Sequence, residues 1–282
     1  MTVDFVAEIS SNHNRDLNRC LAFIDTAAQI GCSAIKFQLF KVDELFAPEI
    51  LRRSTEHRRR QEWELPVEFL PLLAQRSHHH NLQFGCTPFY LQAVDELSPY
   101  VDFYKISSYE VLWQDLLLAC ARAGKPVVLS TGMATLEEVQ RAVHLLRNGG
   151  CRDLTLLHCV SAYPTPPVAC NLAAIQTLRD FFECPAGWSD HSVRPGVLYR
   201  AVHRWGATMI EFHLDLEGRG AEYDMGHCWL PGPIQHVIQT INAGLEADGE
   251  ALKAPTAAEL ADRTWRADPI DGLRPVKTAR QK

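Results

Sequence analysis

Short apolar runs alternate with longer amphipathic stretches from one end of this chain to the other. The runs at Val3–Ile9, Ala34–Phe40, Gln83–Phe89, Phe103–Ser108, Pro126–Thr131, Leu154–Val160, Ala186–Asp190 and Met209–His213 are strand-sized. Helical patterns begin near Asp16, Pro66, Tyr90, Trp113, Thr135, Asn171 and Arg194, and a last one covers about Pro233 to Ala247. Thr135 followed by Glu138 is a capping-box arrangement, which places a helix start there. Gly31, Gly124, Gly149-Gly150 and Gly206 stand where helices end before the next strand. Eight strand-then-helix repeats predict an α/β protein, a (β/α)8 TIM barrel over residues 1–250. A doubly wound sheet has no support, because no Gly-x-Gly-x-x-Gly follows any strand. The longest connection, Lys41 to Leu65, follows the second strand and carries Arg58-Arg59-Arg60. It belongs on the barrel face where active sites lie, and reads as a solvated basic loop in preference to an anion-binding lid.

Composition narrows the function. With 282 residues and a net charge of −6, the chain lacks the positive field a general nucleic-acid binder needs. No apolar stretch reaches membrane-spanning length, and Met1-Thr2-Val3-Asp4-Phe5 carries no basic, cleavable leader pattern. The nine cysteines are odd in number, irregularly spaced and without a Cys-x-x-Cys pair, so a reduced, cytoplasmic protein is expected.

The chemistry concentrates where the strands end. Gly187-Trp188-Ser189-Asp190-His191 and Glu211-Phe212-His213 put histidines at the ends of consecutive strands, where both imidazoles can reach one divalent metal. Lys36 and Lys105 lie within strands, where a lysine needs a negative partner. Flanked by Ser107, Ser108, Ser130, Thr131 and Ser189, they describe an anionic-substrate pocket beside that metal. Two alternatives stand: Lys36 snorkelling outward, and Lys105 as a Schiff-base lysine of an aldolase or lyase. Glu8 and Glu110 face the mouth and suit proton transfer or sugar hydroxyls, or else pair with the same lysines. His13 reads as a turn residue, His78-His79-His80 as solvent-facing and His158 as a satisfied core histidine.

The ordered set Glu8…Asn12-His13-Asn14, Lys36-Phe37-Gln38, Thr87-Pro88-Phe89, Lys105-Ile106-Ser107-Ser108, Ser130-Thr131-Gly132-Met133, Tyr163-Pro164-Thr165-Pro166 and Ser189-Asp190-His191 resembles the N-acetylneuraminate (sialic acid) synthase family, which includes legionaminate and pseudaminate synthases. The resemblance covers roughly residues 3–248. It implies condensation of phosphoenolpyruvate with an N-acetylmannosamine-like aldose, an amino sugar, to a nine-carbon 2-keto acid with release of phosphate. It further implies Mn2+ or Mg2+ held by His191 and His213, and a homodimer. Phosphoenolpyruvate would be held by Lys36, Thr87, Lys105, Ser108, Ser130, Tyr163 and Ser189, with Ser161 where many members have Asn. Glu8, Gln38, Glu110 and Asp224 would face the sugar or the attacking water. Glu222-Tyr223-Asp224-Met225-Gly226-His227-Cys228-Trp229 departs from the family's Gly-Pro-Asp run and adds His227 as a candidate ligand. The tail, 251–282, resembles only the connector to the antifreeze-like domain that the family adds. A barrel kept as a non-catalytic partner of a full-length synthase is the other reading, against which both lysines, both histidines and Asp224 count.

Overall fold

The computed structural model describes residues 2–280. Met1, Gln281 and Lys282, at the outer ends of the expected barrel and tail, lie outside the described residues. Eight parallel strands close into a barrel in sequence order: β1 Asp4–Glu8, β2 Ala34–Leu39, β3 Gln83–Pro88, β4 Phe103–Ile106, β5 Val127–Ser130, β6 Leu154–Cys159, β7 Ala186–Asp190 and β8 Met209–His213. Closure comes from β1 and β8, which pair from Asp4↔Met209 to Glu8↔His213. Every expected strand forms; β7 and β8 keep the expected bounds and the other six lose one or two residues at their ends.

Alternate residues of a strand share a face, and here that period sorts the barrel interior into levels. Val6, Ala34, Phe103, Val128 and Leu157 make a small apolar cluster of their own. Two residues further along the same strands come Glu8, Lys36, Lys105, Ser130 and Cys159. The interior therefore changes from an apolar plug to a polar floor within one period. Gly85 belongs to the plug: a Cβ there would fall 2.1 Å from the Phe103 ring, so this glycine makes room for that phenylalanine.

The larger core lies between strands and helices. Helix Leu17–Ile30 is typical: Cys20, Phe23, Ile24, Ala27 and Ile30 form its buried stripe. Asp16 caps its first N–H groups and Gly31, at φ 92°, ends it. Each Phe or Ile so buried contributes about 1.5–3 kcal/mol. The expected capping box of Thr135 and Glu138 is present at helix Leu136–Asn148. No described helix is long and apolar enough to cross a membrane.

The connection from Lys41 to Leu65 keeps Arg58 and Arg59 exposed, as expected, but is not an irregular loop. It folds into Val42–Leu45, Pro48–Arg53, Thr55–Arg59 and a 3-10 turn Arg60–Trp63. Its local chemistry explains this: Pro48 takes the first helical turn, and the Ser54 side chain caps the N–H of His57. Residues Glu246–Lys282 are a second compact unit. Within it Asp271 holds Arg280 through both carboxylate oxygens, and Asp268 accepts from the N–H groups of Ile270 and Lys277.

Candidate active site

A cavity of about 490 Å³ opens at the C-terminal mouth of the barrel, and its floor is a buried charge network. Glu211 lies between the two lysines, its carboxylate oxygens 3.9 Å from Lys36 Nζ and 3.7 Å from Lys105 Nζ. Lys36 is also ion-paired with Glu8 and donates to Thr87 Oγ1 at 3.1 Å. Burial works against the Lys36 charge, but Glu8 and Glu211 outweigh it and raise its pKa. Lys105 goes the other way, lowered by burial and by Lys36 against the single nearby charge of Glu211. Burial opposes ionisation of Glu211 too, yet both lysines and the Ser189 hydroxyl, donating at 2.9 Å, keep it a carboxylate. Lys36 therefore does not snorkel outward.

Histidines occupy the wall. Ring centroids of His191 and His213 are 5.3 Å apart, and His227 joins them 4.6 Å from His213. His191 Nδ1 lies 2.9 Å from the Val160 carbonyl, which can only accept. The proton is therefore on Nδ1 and the Nε2 lone pair is free. Burial holds His191 neutral, its pKa pushed down to about 3. Glu222 Oε2 lies 3.4 Å from His213 Nδ1 and 3.8 Å from His227 Nε2. His213 Nδ1, His227 Nδ1 and Glu222 Oε2 are all buried without a hydrogen-bond partner. These orphaned atoms of two imidazoles and a carboxylate, with the His191 ring beside them, are a donor set that fits a divalent cation. Cys228 adjoins it, with donor atoms of His213, His227 and Cys228 all within 4.8 Å of one another.

The loop bearing Glu222 and His227 hangs from the other end of the chain. The Glu222 N–H donates to Asn12 Oδ1 at 2.8 Å, and Ser10 Oγ donates to Glu222 Oε1 at 2.8 Å. Arg19 grips Asp215 and the Asn12 carbonyl. Gly220 lets the two loops touch, since a Cβ there would lie 2.3 Å from Asn12 Oδ1.

The structure brings most of the expected site residues together. Glu8, Lys36, Gln38, Lys105, Ser108, Glu110, Ser130, Tyr163, Ser189, His191, His213 and His227 line one cavity. Gln38 donates to Glu8 at 2.9 Å, and the Tyr163 ring lies 4.2 Å from that of His191. Burial pushes Glu110 up to about 7, although the Ser107 hydroxyl and Lys105 favour its anion. Thr87 is buried, accepts from Lys36, and is not among the residues lining the cavity. Ser161 stands beside Gly132, where a Cβ would be 2.5 Å from Ser161 Oγ and 2.9 Å from Ser108 Oγ. The hydroxyls of Ser130 and Ser161 are buried and unpartnered.

Asp224 is the exception. It is exposed in the turn Tyr223–Met225 and is not among the residues lining the cavity. Glu222 has the inward place, because Ser10 and Asn12 hold it there. Sequence reasoning also missed Glu211 and the cavity-lining Arg60. Glu211 was findable, since it lies one strand period before His213.

A closed (β/α)8 barrel with a lysine–carboxylate floor beside clustered imidazoles is a barrel enzyme built for an anionic substrate. The chain belongs to the NeuB family, whose family model matches residues 23–253. It is 33% identical over 267 residues to the N,N'-diacetyllegionaminic acid synthase of Campylobacter jejuni, covering 90% of this chain and 80% of that one. It is 33% identical over 256 residues to the pseudaminic acid synthase of Helicobacter pylori, covering 87% and 75%. Among solved structures, the N-acetylneuraminic acid synthetase of Leptospira borgpetersenii, in complex with citrate, superposes with a TM-score of 0.82 at 31% identity, covering 93% of this chain and 90% of that one.

Proposed function

We propose that this enzyme condenses phosphoenolpyruvate with an N-acetylmannosamine-like aldose, giving a sialic-acid-type nine-carbon 2-keto acid and phosphate. The observation that carries the reading is the pair of buried lysines sharing Glu211 next to the His191–His213–His227 cluster. Lys36 and Lys105 hold the phosphate and carboxylate of phosphoenolpyruvate, and the free hydroxyls of Ser130 and Ser161 complete that shell. C3 of the enol then attacks the aldehyde carbon. Water adds to the electron-poor C2, and the C2–O bond to phosphate breaks to leave the ketone. His191 and His213 would hold Mn2+ or Mg2+, with Glu222 and His227 at hand. The ion, when bound, supplies a Lewis acid for the aldehyde oxygen. The orphaned atoms of His213, Glu222 and His227, beside the neutral His191 ring, fit that role.

Glu110 is the group placed to take the proton of the attacking water. Its raised pKa, about 7, makes it neutral in acid and a base above neutrality. The expected kcat/KM rises with pH through about 7, and Glu110→Gln removes that limb and lowers the plateau by roughly 10²–10⁴-fold. A Gln variant that keeps the limb would assign it elsewhere.

The depressed pKa of Lys105 favours one second reading, a Schiff-base aldolase. One assay pair separates the two. Phosphate release from phosphoenolpyruvate is measured across a panel of N-acylated aldoses with manganese, and borohydride trapping is attempted with pyruvate. Phosphate release without trapping supports condensation; trapping at Lys105 without phosphate release overturns it.

A further inference from the structure

Arg60 is a cation in the cavity wall with no ion-pair partner among the described residues. It opens the turn Arg60–Trp63 in the connection after β2 and lines the cavity together with Phe46 and Trp63. Its guanidinium carbon stands 5.6 Å from the Phe46 ring centre and 5.4 Å from that of Trp63. Its Nε is buried without a hydrogen-bond partner, and among the described residues no carboxylate lies within salt-bridge distance of it. Of the arginines near it, Arg15 donates to the Gln61 carbonyl, Arg52 meets Glu49, Arg58 bonds the Leu51 carbonyl and Thr55 Oγ1, and Arg53 and Arg59 are exposed to solvent.

A guanidinium flanked by aromatic rings keeps its donors in one plane and is weakly hydrated, which suits a carboxylate or a phosphate presenting paired oxygens. The phosphoenolpyruvate end of the cavity is already served. Lys36 and Lys105 are almost fully buried at the floor, whereas Arg60 is only partly buried and belongs to the outer wall. An anion meeting Arg60 is therefore carried by the other substrate.

We propose that Arg60 is a specificity-determining residue for the acceptor. The aldose bears an anionic group, phosphate or carboxylate, at the end remote from its aldehyde, and Arg60 binds that group from its seat between Phe46 and Trp63. This rests on the condensation reading for the identity of the acceptor as an aldose. The recognition itself is read from Arg60.

The test compares N-acetylmannosamine, its 6-phosphate and the corresponding 6-carboxylate with the parent enzyme, Arg60→Met and Arg60→Lys. Turnover is followed by phosphate release and binding by calorimetry in the absence of phosphoenolpyruvate. The parent should prefer one anionic sugar over the neutral one, and which one identifies the group. Arg60→Met should lower that preference roughly 10- to 100-fold, the value of a lost charge-assisted bond. Arg60→Lys should restore part of it, because charge returns without the planar fork. A thermal melt checks that each variant is folded. A parent with no anionic preference, or a preference unchanged in Arg60→Met, overturns the proposal. Arg60-dependent binding with no phosphate release from any sugar would uphold the subsite and defeat the condensation reading. Phosphate release with no Arg60 dependence would do the reverse.

Discussion

Lys36→Met is expected to be the most destabilising single change in the site, by about 3–5 kcal/mol. Among the described residues, Lys36 is the only lysine paired with Glu8 and one of two beside Glu211, all buried in the barrel. Removing it strands a nearly buried carboxylate without its counter-charge. Lys105→Met should cost less stability, since Lys36 still faces Glu211. Both variants should bind phosphoenolpyruvate roughly 10- to 100-fold more weakly, and Lys→Arg at either position should recover part of that affinity. Adding Glu8→Gln to Lys36→Met should return much of the stability and none of the affinity, which separates the fold role from the binding role. Urea midpoints and phosphoenolpyruvate titrations are the measurements. A Lys36→Met protein as stable as its parent would show that the floor is not a coupled network.

Chelation is expected to abolish turnover, with recovery on adding manganese. The same cation should raise the melting temperature of the chelated protein, by an amount set by about 2.7 kcal/mol at a hundred times the dissociation constant. His213→Ala should eliminate both effects, because this ring is central to the cluster, near His191, His227 and Glu222. His191→Ala should abolish turnover, and Glu222→Ala should weaken the melting shift. Calorimetric melts with and without manganese, beside phosphate-release assays, decide the matter. Full activity of the chelated enzyme would sink the metal role.

The barrel was legible because parallel strands covered on both faces read as apolar runs, and four of the runs here follow a helix-ending glycine: Gly31, Gly124, Gly150 and Gly206. Lys36, Lys105, His191 and His213 stood out because a charged or ligating residue breaking such a run is costly without a partner. Glu222 and Asp224 differ in a way local sequence does not carry. Both are acids in a polar loop, and the choice between them is made by Ser10 and Asn12, more than 200 positions away. The segment after β2 misled for a related reason. Its helices are too short to show a period, so its basic run reads as loop, and the aromatic flanks of Arg60 appear only when Phe46 and Trp63 fold back beside it.

The attachment of Glu222 to Asn12, with β1 zipped to β8, sets when this site comes into being during synthesis. A nascent chain that has emerged only as far as β7 holds both lysines but neither Glu211 nor His213. Those two, with Glu222 and His227, are translated after the rest of the site and must find residues made long before them. A cation lodged among them would act as a latch across the seam of the barrel, gripping the fold where its first and last strands meet.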